Sequence, residues 1–71
     1  MKNITFIPVE SSNIISVGYD ETTSSLYVKY LSGTYKYDNV DKSVYESLLT
    51  SFSKGRFLNE NIKGQYNYSR V

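Results

Sequence analysis

A predicted β-hairpin restricts the fold of this chain more than any other feature of its sequence. Residues 26–31 are rich in β-branched and aromatic side chains, the pair Ser32-Gly33 is typical of a tight turn, and residues 34–37 continue as a second extended segment. Because the side chains of a strand alternate between its two faces, the apolar members fall on one side of the hairpin. That side, which we expect to face the core, carries Leu26, Val28, Tyr30, Tyr35 and Tyr37.

The other side of the hairpin carries Tyr27, Lys29 and Lys36. With Ser32-Gly33 as a two-residue loop, Lys29 would lie directly opposite Lys36, and like charges in that position repel each other. The two lysines are therefore either solvated or share an anion between them. Since Tyr27 lies on the same face, the second interpretation makes this face a candidate ligand surface.

Three further segments have an extended pattern. Residues 15–19 alternate between apolar and small side chains and predict a strand that ends near Asp20. Residues 4–9 predict a short strand, in which Pro8 favours an edge or a strand end. The tail, residues 65–71, alternates again and either adds an edge strand or lies extended over the core.

From Asp41, a candidate N-cap, the apolar residues take on the period of a helix. Residues 56–63 predict a second short helix that Gly64 stops. We therefore expect an α+β fold in which a small antiparallel sheet of about three to four strands packs against one main helix plus a second short C-terminal helix. The whole chain, residues 1–71, would form a single domain. The apolar stripe of the main helix comprises Val44, Tyr45, Leu48, Leu49 and Phe52.

The chain contains neither cysteine nor histidine. It therefore has no thiolate nucleophile and lacks the side chain that performs most acid–base catalysis near neutral pH. Its longest apolar run is far shorter than the roughly 20 residues that span a bilayer. We expect a cytoplasmic protein that is not an enzyme and that has no catalytic residues, no metal site, no cofactor and no membrane association.

Positive charge is concentrated late in the chain. Residues 1–50 carry four lysines against six acidic residues, whereas residues 51–71 carry four cations against one glutamate. On a helix, Arg56 and Lys63 could line one edge with Asn59 between them, and such a row suits phosphate oxygens. A purely structural helix-turn-helix is the competing interpretation, and the pattern leaves both open.

Tyrosine supplies eight of the eleven aromatic residues. Most of the tyrosines are simplest to explain as core residues, whereas Tyr27, Tyr66 and Tyr68 are better candidates for exposed rings on which a base could stack. The full set of candidate contacts for nucleic acid or a nucleotide is Tyr27, Lys29, Lys36, Lys54, Arg56, Asn59, Lys63, Tyr66, Tyr68 and Arg70.

The order of several short motifs matches a known family. The motifs are Val17-Gly18-Tyr19-Asp20, Gly33-Thr34-Tyr35-Lys36-Tyr37, Ser53-Lys54-Gly55-Arg56-Phe57 and Ile62-Lys63. Over about residues 11–71 the chain resembles the KTSC domain. It departs from the usual pattern at Val40-Asp41, where the family generally has Val-Pro, and at Leu58, where a second aromatic residue is usual.

The resemblance implies a domain of the type found at the C-terminus of some lysyl-tRNA synthetases, here similar to the free-standing form of bacteria and their phages. The host would then be a bacterial or phage-infected cell. From that context and the late cations we expect a non-catalytic module for RNA or a nucleotide. The alternative is a small phage or bacterial protein that interacts with proteins, as a homo-oligomer that blocks a host protein or sequesters a nucleotide signal.

Overall fold

One antiparallel sheet forms the frame of a computed structural model of the chain, which describes residues 4–9 and 13–71. Its strands in that part of the chain are β1 (Phe6–Pro8), β2 (Ile14–Asp20), β3 (Ser25–Tyr30), β4 (Gly33–Tyr37) and β5 (Tyr68–Arg70). Each strand pairs with the next one along the chain, so that β1 and β5 form the two edges. The predicted α+β class is confirmed. The short N-terminal strand with Pro8 at an edge is confirmed by β1, whereas the predicted number of about three to four strands is too low, because the tail also pairs as an edge strand.

Two helical segments connect β4 to β5. The first, α1, spans Lys42–Thr50, and the second begins as α2 (Lys54–Phe57) and continues directly as a π-helical turn over Leu58–Ile62. This arrangement confirms one main helix followed by a second short helix. In the described part of the chain no helix is long and apolar enough to cross a membrane.

The core lies between one face of the sheet and the helical segments. Val17 pairs with Val28 and Leu26 pairs with Tyr37, so these four side chains form adjacent rows of one sheet face. Together with residues of α1 and of the π-helical turn they form one buried cluster. The fully buried apolar residues of this cluster are Val17, Leu26, Val28, Val40, Leu48, Leu58 and Ile62.

The hairpin register differs from the predicted one by two residues. Tyr30 pairs with Gly33, and Leu31-Ser32 form the loop, so Gly33 belongs to the strand. Gly33 adopts a φ of 148°, a value that L side chains rarely take, and this conformation lets it act as the first strand residue. The predicted opposition of Lys29 and Lys36 is therefore wrong. A shift by two residues nevertheless leaves every side chain on its predicted face.

On the polar side of the sheet, Lys29 pairs with Thr34, and Lys36 pairs with Tyr27. Lys36 Nζ lies 3.9 Å from the Asp38 carboxylate. The two lysines thus sit diagonally rather than face to face, and one of them has an acidic neighbour. The repulsion that suggested an anion shared between them is correspondingly weaker.

A β-bulge changes the start of β2. Ile14 pairs with Tyr30 while Ser16 pairs with Lys29, so Ile15 has no partner on β3. As a result Ile14 is buried, whereas Ile15 is 43% exposed and does not share the core face with Val17. The alternation predicted for residues 15–19 was therefore wrong at Ile15, which does not lie on the core face.

The ends of α1 also differ from the prediction. The side chain of Asp41 forms no cap hydrogen bond, although its backbone oxygen accepts from the amides of Val44 and Tyr45. At the other end Ser51 is extended, and its hydroxyl donates to the Leu48 carbonyl at 2.9 Å. Because the helix has ended before Phe52, that side chain leaves the predicted apolar stripe and is fully exposed.

Candidate functional site

A cavity of 470 Å³ lies beside the hairpin and reaches its turn at Ser32, where β4, β5 and the end of the π-helical turn meet. This volume is in the range of about 300–1,000 Å³ that is usual for small-molecule sites. We call it the tyrosine cavity, and its lining residues are Tyr30, Ser32, Tyr35, Tyr37, Lys63, Gly64 and Tyr68.

Four tyrosine rings form the wall of the tyrosine cavity. Tyr30 and Tyr35 meet edge to face with their centroids 5.5 Å apart. Tyr68 lies 5.8 Å from Tyr35 and 5.7 Å from Tyr37. Tyr37 is buried, whereas Tyr68, on the edge strand β5, is 60% exposed. The wall therefore extends from a buried inner ring, Tyr37, to an exposed outer ring, Tyr68.

The hydroxyl groups of Tyr30 and Tyr37 lie 3.3 Å apart in this wall, and either of them could be the donor. Burial raises the pKa of Tyr30 above the ordinary value of 10.0, and its hydrogen bond to Tyr37 raises it further. Burial also raises the pKa of Tyr37, against the lowering effect of the same hydrogen bond. Both hydroxyls therefore keep their protons at neutral pH and can donate as well as accept.

Lys63 supplies the positive charge of the cavity. Its Nζ atom lies 5.2 Å from the centroid of the Tyr30 ring, within the roughly 6 Å over which a cation is attracted to a ring face. The backbone places it there through the π-helical turn, since the Lys63 amide donates to the Leu58 carbonyl at 2.8 Å. Gly64 then takes a φ of 79° and turns the chain toward β5.

Arg70 lies next to the cavity at the hairpin turn. One of its guanidinium nitrogens donates to the Ser32 carbonyl at 2.8 Å. A Cβ atom on Gly33 would come within 3.0 Å of the same guanidinium, so the glycine leaves room for it. The last strand and the hairpin turn thereby hold a second cation beside the cavity at Ser32.

The structure divides the predicted contact residues into separate groups. Lys63 and Tyr68 line the tyrosine cavity and Arg70 adjoins it. Tyr66 lies in a neighbouring cleft that shares Gly64 and Tyr68 with the cavity. The remaining six line no part of the cavity, and they are Tyr27, Lys29, Lys36, Lys54, Arg56 and Asn59.

The cations of the second helical segment have different partners. Lys54 Nζ donates to the Ser51 carbonyl at 3.0 Å, and Arg56 pairs with Glu60 at 3.0 Å. Lys63 reaches the Tyr30 ring instead. The geometry thus shows no common point at which these three side chains meet. Asn59 is exposed on the same segment.

Tyr27 lies on the opposite face of the sheet, with its ring edge to face with Phe6 at 6.3 Å. The same face holds Lys29 and Lys36. A side chain on Gly18 would come within 2.8 Å of the Ile4 side chain, so the glycine allows residues 4–6 to lie close to β2 there. This surface is separate from the tyrosine cavity, and its role in binding stays a prediction.

Tyr30, Tyr35 and Tyr37 were assigned to the core from their spacing, and that assignment missed their place in the cavity wall. All three pack against the core, and all three also line the cavity. The choice of tyrosine over phenylalanine at three neighbouring positions of one hairpin face was the available signal. Such a face provides hydroxyls where a purely structural core needs none.

The described residues, 4–9 and 13–71, include no group of three or more acidic, histidine or cysteine side chains that could hold a metal ion. None of the residues that line the tyrosine cavity carries a carboxylate. The arrangement offers flat aromatic surface, paired hydroxyls and positive charge, which together suit a planar ligand that carries an anionic group.

Known proteins share both the sequence and the fold of this chain. The chain is 40% identical over 60 residues to a protein of Tsukamurella paurometabola, covering 83% of this chain and 90% of the relative. An uncharacterised protein of Stutzerimonas stutzeri is 37% identical over 67 residues, covering 92% of this chain and 94% of that protein.

A segment of the lysine–tRNA ligase of a Nostoc species is 36% identical over 63 residues, which cover 87% of this chain but only 11% of the enzyme. The crystal structure of a KTSC domain protein from Yersinia pestis superposes with a TM-score of 0.94 at 33% identity, covering 97% of this chain and 99% of that structure. The family model for the KTSC domain matches residues 10–66. The chain therefore belongs to the KTSC domain family.

Proposed function

We propose that this protein is a non-catalytic module that binds a nucleotide unit, either free or as part of RNA, in the tyrosine cavity. The observation that carries the proposal is the combination of four tyrosine rings with Lys63 around one cavity of 470 Å³. A base stacked on such a ring contributes about 1–3 kcal/mol. Lys63 and the adjacent Arg70 supply the positive charge that a phosphate group attracts.

Binding rather than catalysis fits the chemistry of the cavity. Its titratable groups are tyrosine hydroxyls and one lysine, and burial makes the Tyr30 and Tyr37 hydroxyls harder to ionise through their raised pKa values. A tyrosine that resists ionisation is a poor general base near neutral pH. The cavity is therefore better equipped to hold a ligand than to transform it.

RNA enters the proposal through the resemblance to a segment of the Nostoc lysine–tRNA ligase, an enzyme named for its action on tRNA. Only a small fraction of that enzyme resembles this chain, so its ligase activity does not carry over. A module of this kind attached to such an enzyme is consistent with contact to an exposed nucleotide of RNA. The exposed Tyr68 and Tyr66 would then meet bases that leave the cavity.

Loss of the cavity lysine is expected to weaken nucleotide binding more than loss of a cation elsewhere. Lys63→Gln removes the charge beside the Tyr30 ring, and we expect a loss of affinity of at least about tenfold, since a charge-assisted contact contributes about 1.5–3 kcal/mol. Arg56→Gln removes the same charge from a side chain that pairs with Glu60. Calorimetric titration of both variants with nucleoside monophosphates and with a short single-stranded RNA is the measurement.

The matched net charge of the two variants makes the comparison specific. An equal loss in both would indicate general attraction of an anion to the late cations, as the row of Arg56, Asn59 and Lys63 predicts. No binding of any of these ligands by the wild-type protein would contradict the proposal itself. Thermal unfolding of each variant establishes that the fold is retained.

A second candidate function, self-association or docking on a host protein, has one specific observation in its favour. Phe52 follows Ser51 at the end of α1, and its ring is fully exposed. It borders a small cleft formed by the second helical segment, including Arg56 and Phe57. Exposed aromatic residues of this kind are typical anchors of protein interfaces. The protein would then act as an oligomer, of phage or bacterial origin, that blocks a protein or sequesters a nucleotide signal.

Substitution of Phe52 tests this second candidate. If the ring anchors an interface between copies, the wild-type protein should show a concentration-dependent mass above that of the monomer by light scattering. Phe52→Ser should shift it to the monomer, while Leu31→Ser, at another exposed position, should not. A wild-type protein that stays monomeric at every concentration tested would count against self-association through this residue.

A further inference from the structure

Resting on the proposed function, we infer that the hydroxyl pair of Tyr30 and Tyr37 reads the hydrogen-bonding edge of the base. The ligand class is then a nucleotide whose base presents a donor next to an acceptor. A nucleotide that has the same sugar and phosphate but lacks such an edge binds with lower affinity.

The contact between the two hydroxyls is easily replaced by a ligand. Their oxygen atoms lie 3.3 Å apart, beyond the 2.5–3.0 Å that is usual for a hydrogen bond between hydroxyls. The bond is therefore weak, and a ligand group inserted beside it has little to displace. Both residues line the tyrosine cavity, Tyr37 as its buried inner ring.

The two hydroxyls have unused hydrogen-bonding capacity. Each carries one hydrogen and two lone pairs, and the single bond between them uses one hydrogen and one lone pair. Within the described residues neither hydroxyl has another hydrogen bond. One hydrogen and several lone pairs thus remain for a ligand, and they lie on two neighbouring oxygens.

This arrangement complements the edge of a nucleobase. Adenine and guanine each place a donor beside an acceptor on the edge that faces a partner base, although in opposite order. Because hydroxyl hydrogens rotate, the pair can offer its donor from either oxygen and can match both orders. The site therefore accepts both adenine and guanine but binds a purine without exocyclic groups more weakly.

The protonation state of the two hydroxyls is consistent with recognition of the base edge. An ionised tyrosine would only accept hydrogen bonds and could not match the acceptor of the base. Burial keeps the pKa of both residues above the ordinary range, so both retain their protons under physiological conditions. The pair is consequently a donor and an acceptor together throughout that range.

The experiment compares three nucleotides with the same ribose and phosphate: adenosine monophosphate, guanosine monophosphate and purine riboside monophosphate. Their affinities are measured by calorimetry for the wild-type protein and for the double variant Tyr30→Phe, Tyr37→Phe. Phenylalanine keeps both rings for stacking, and replacing both partners of a hydrogen bond leaves no unpaired hydroxyl. Tyr45→Phe is the matched control, since Tyr45 is a buried tyrosine that does not line the cavity.

We expect the wild-type protein and Tyr45→Phe to bind adenosine or guanosine monophosphate about tenfold more tightly than the unsubstituted purine nucleotide, as for two neutral hydrogen bonds. In the double variant that ratio should fall to about one, while the affinity for the purine nucleotide stays the same. Binding with an unchanged ratio in the double variant, or with no discrimination by the wild type, overturns the inference alone. Failure of the wild type to bind any of the three overturns the proposed function with it.

Discussion

Replacement of Leu58 by alanine is expected to lower the free energy of unfolding by about 2–5 kcal/mol, the cost of a large-to-small change in a packed core. Leu58 is completely buried at the junction of α2 and the π-helical turn, where it joins the main core cluster. A chain of 71 residues is stabilised by only about 4–11 kcal/mol in total, at about 0.05–0.15 kcal/mol per residue. The substitution therefore removes a large share of the stability.

Equilibrium unfolding in urea measures this effect, with Leu31→Ala as the matched control. Leu31 lies in the hairpin loop and is 73% exposed, so the same change of side chain there should alter the stability by no more than about 0.5 kcal/mol. A similar loss in both variants would show that burial at residue 58 is not the cause.

The faces of the hairpin could be predicted from the sequence, but its register could not. Period-two alternation identifies which side chains share a face, and a shift of two residues leaves that property unchanged. The register depends on where the loop begins, and Gly33 takes a φ of 148° within the strand instead of serving in the loop. The same limit applies to β2, where the bulge at Ile15 moves one residue out of step.

The bounds of the edge strands and the end of α1 were the other features that sequence patterns defined poorly. β1 and β5 contain three residues each, fewer than the predicted segments 4–9 and 65–71, because alternation does not show where backbone pairing stops. Phe52 continues the apolar spacing of α1, but Ser51 is extended and ends the helix first. In both cases tertiary pairing or a local backbone hydrogen bond decides the outcome, and neither is visible as a repeat.

The candidate site was predicted only in part. Lys63, Tyr68 and Arg70 were named as contacts from their charge or exposure, and the structure places them in or beside the tyrosine cavity. Tyr30 and Tyr37 were predicted to be core residues. A tyrosine that only packs its ring and one whose hydroxyl also lines a cavity occupy the same positions in the alternating pattern of a strand. The π-helical turn that carries Lys63 to the Tyr30 ring departs from the 3.6-residue period on which helix prediction depends.

Alkaline pH is expected to destabilise the protein through its buried tyrosines. Burial raises the pKa of Tyr30, Tyr37 and Tyr45 above the ordinary value of 10.0. Above about pH 10 these residues would ionise in the unfolded chain while they stay protonated in the folded one, so the folded state binds more protons. Their contribution is therefore fully present below about pH 10 and is lost as the pH rises toward the folded-state pKa values.

Urea unfolding between about pH 8 and about pH 11 measures this loss, and Tyr30→Phe identifies its source. The variant should be slightly less stable at the lower end, where it lacks only the weak hydrogen bond to Tyr37. Its stability should then fall less steeply with pH, because one ionising group with a raised pKa is gone. The titration of lysines is common to both proteins and cancels in the difference between them. Equal slopes in the two proteins would mean that the Tyr30 hydroxyl ionises as freely in the folded cavity as in the unfolded chain, which would contradict a raised pKa of Tyr30.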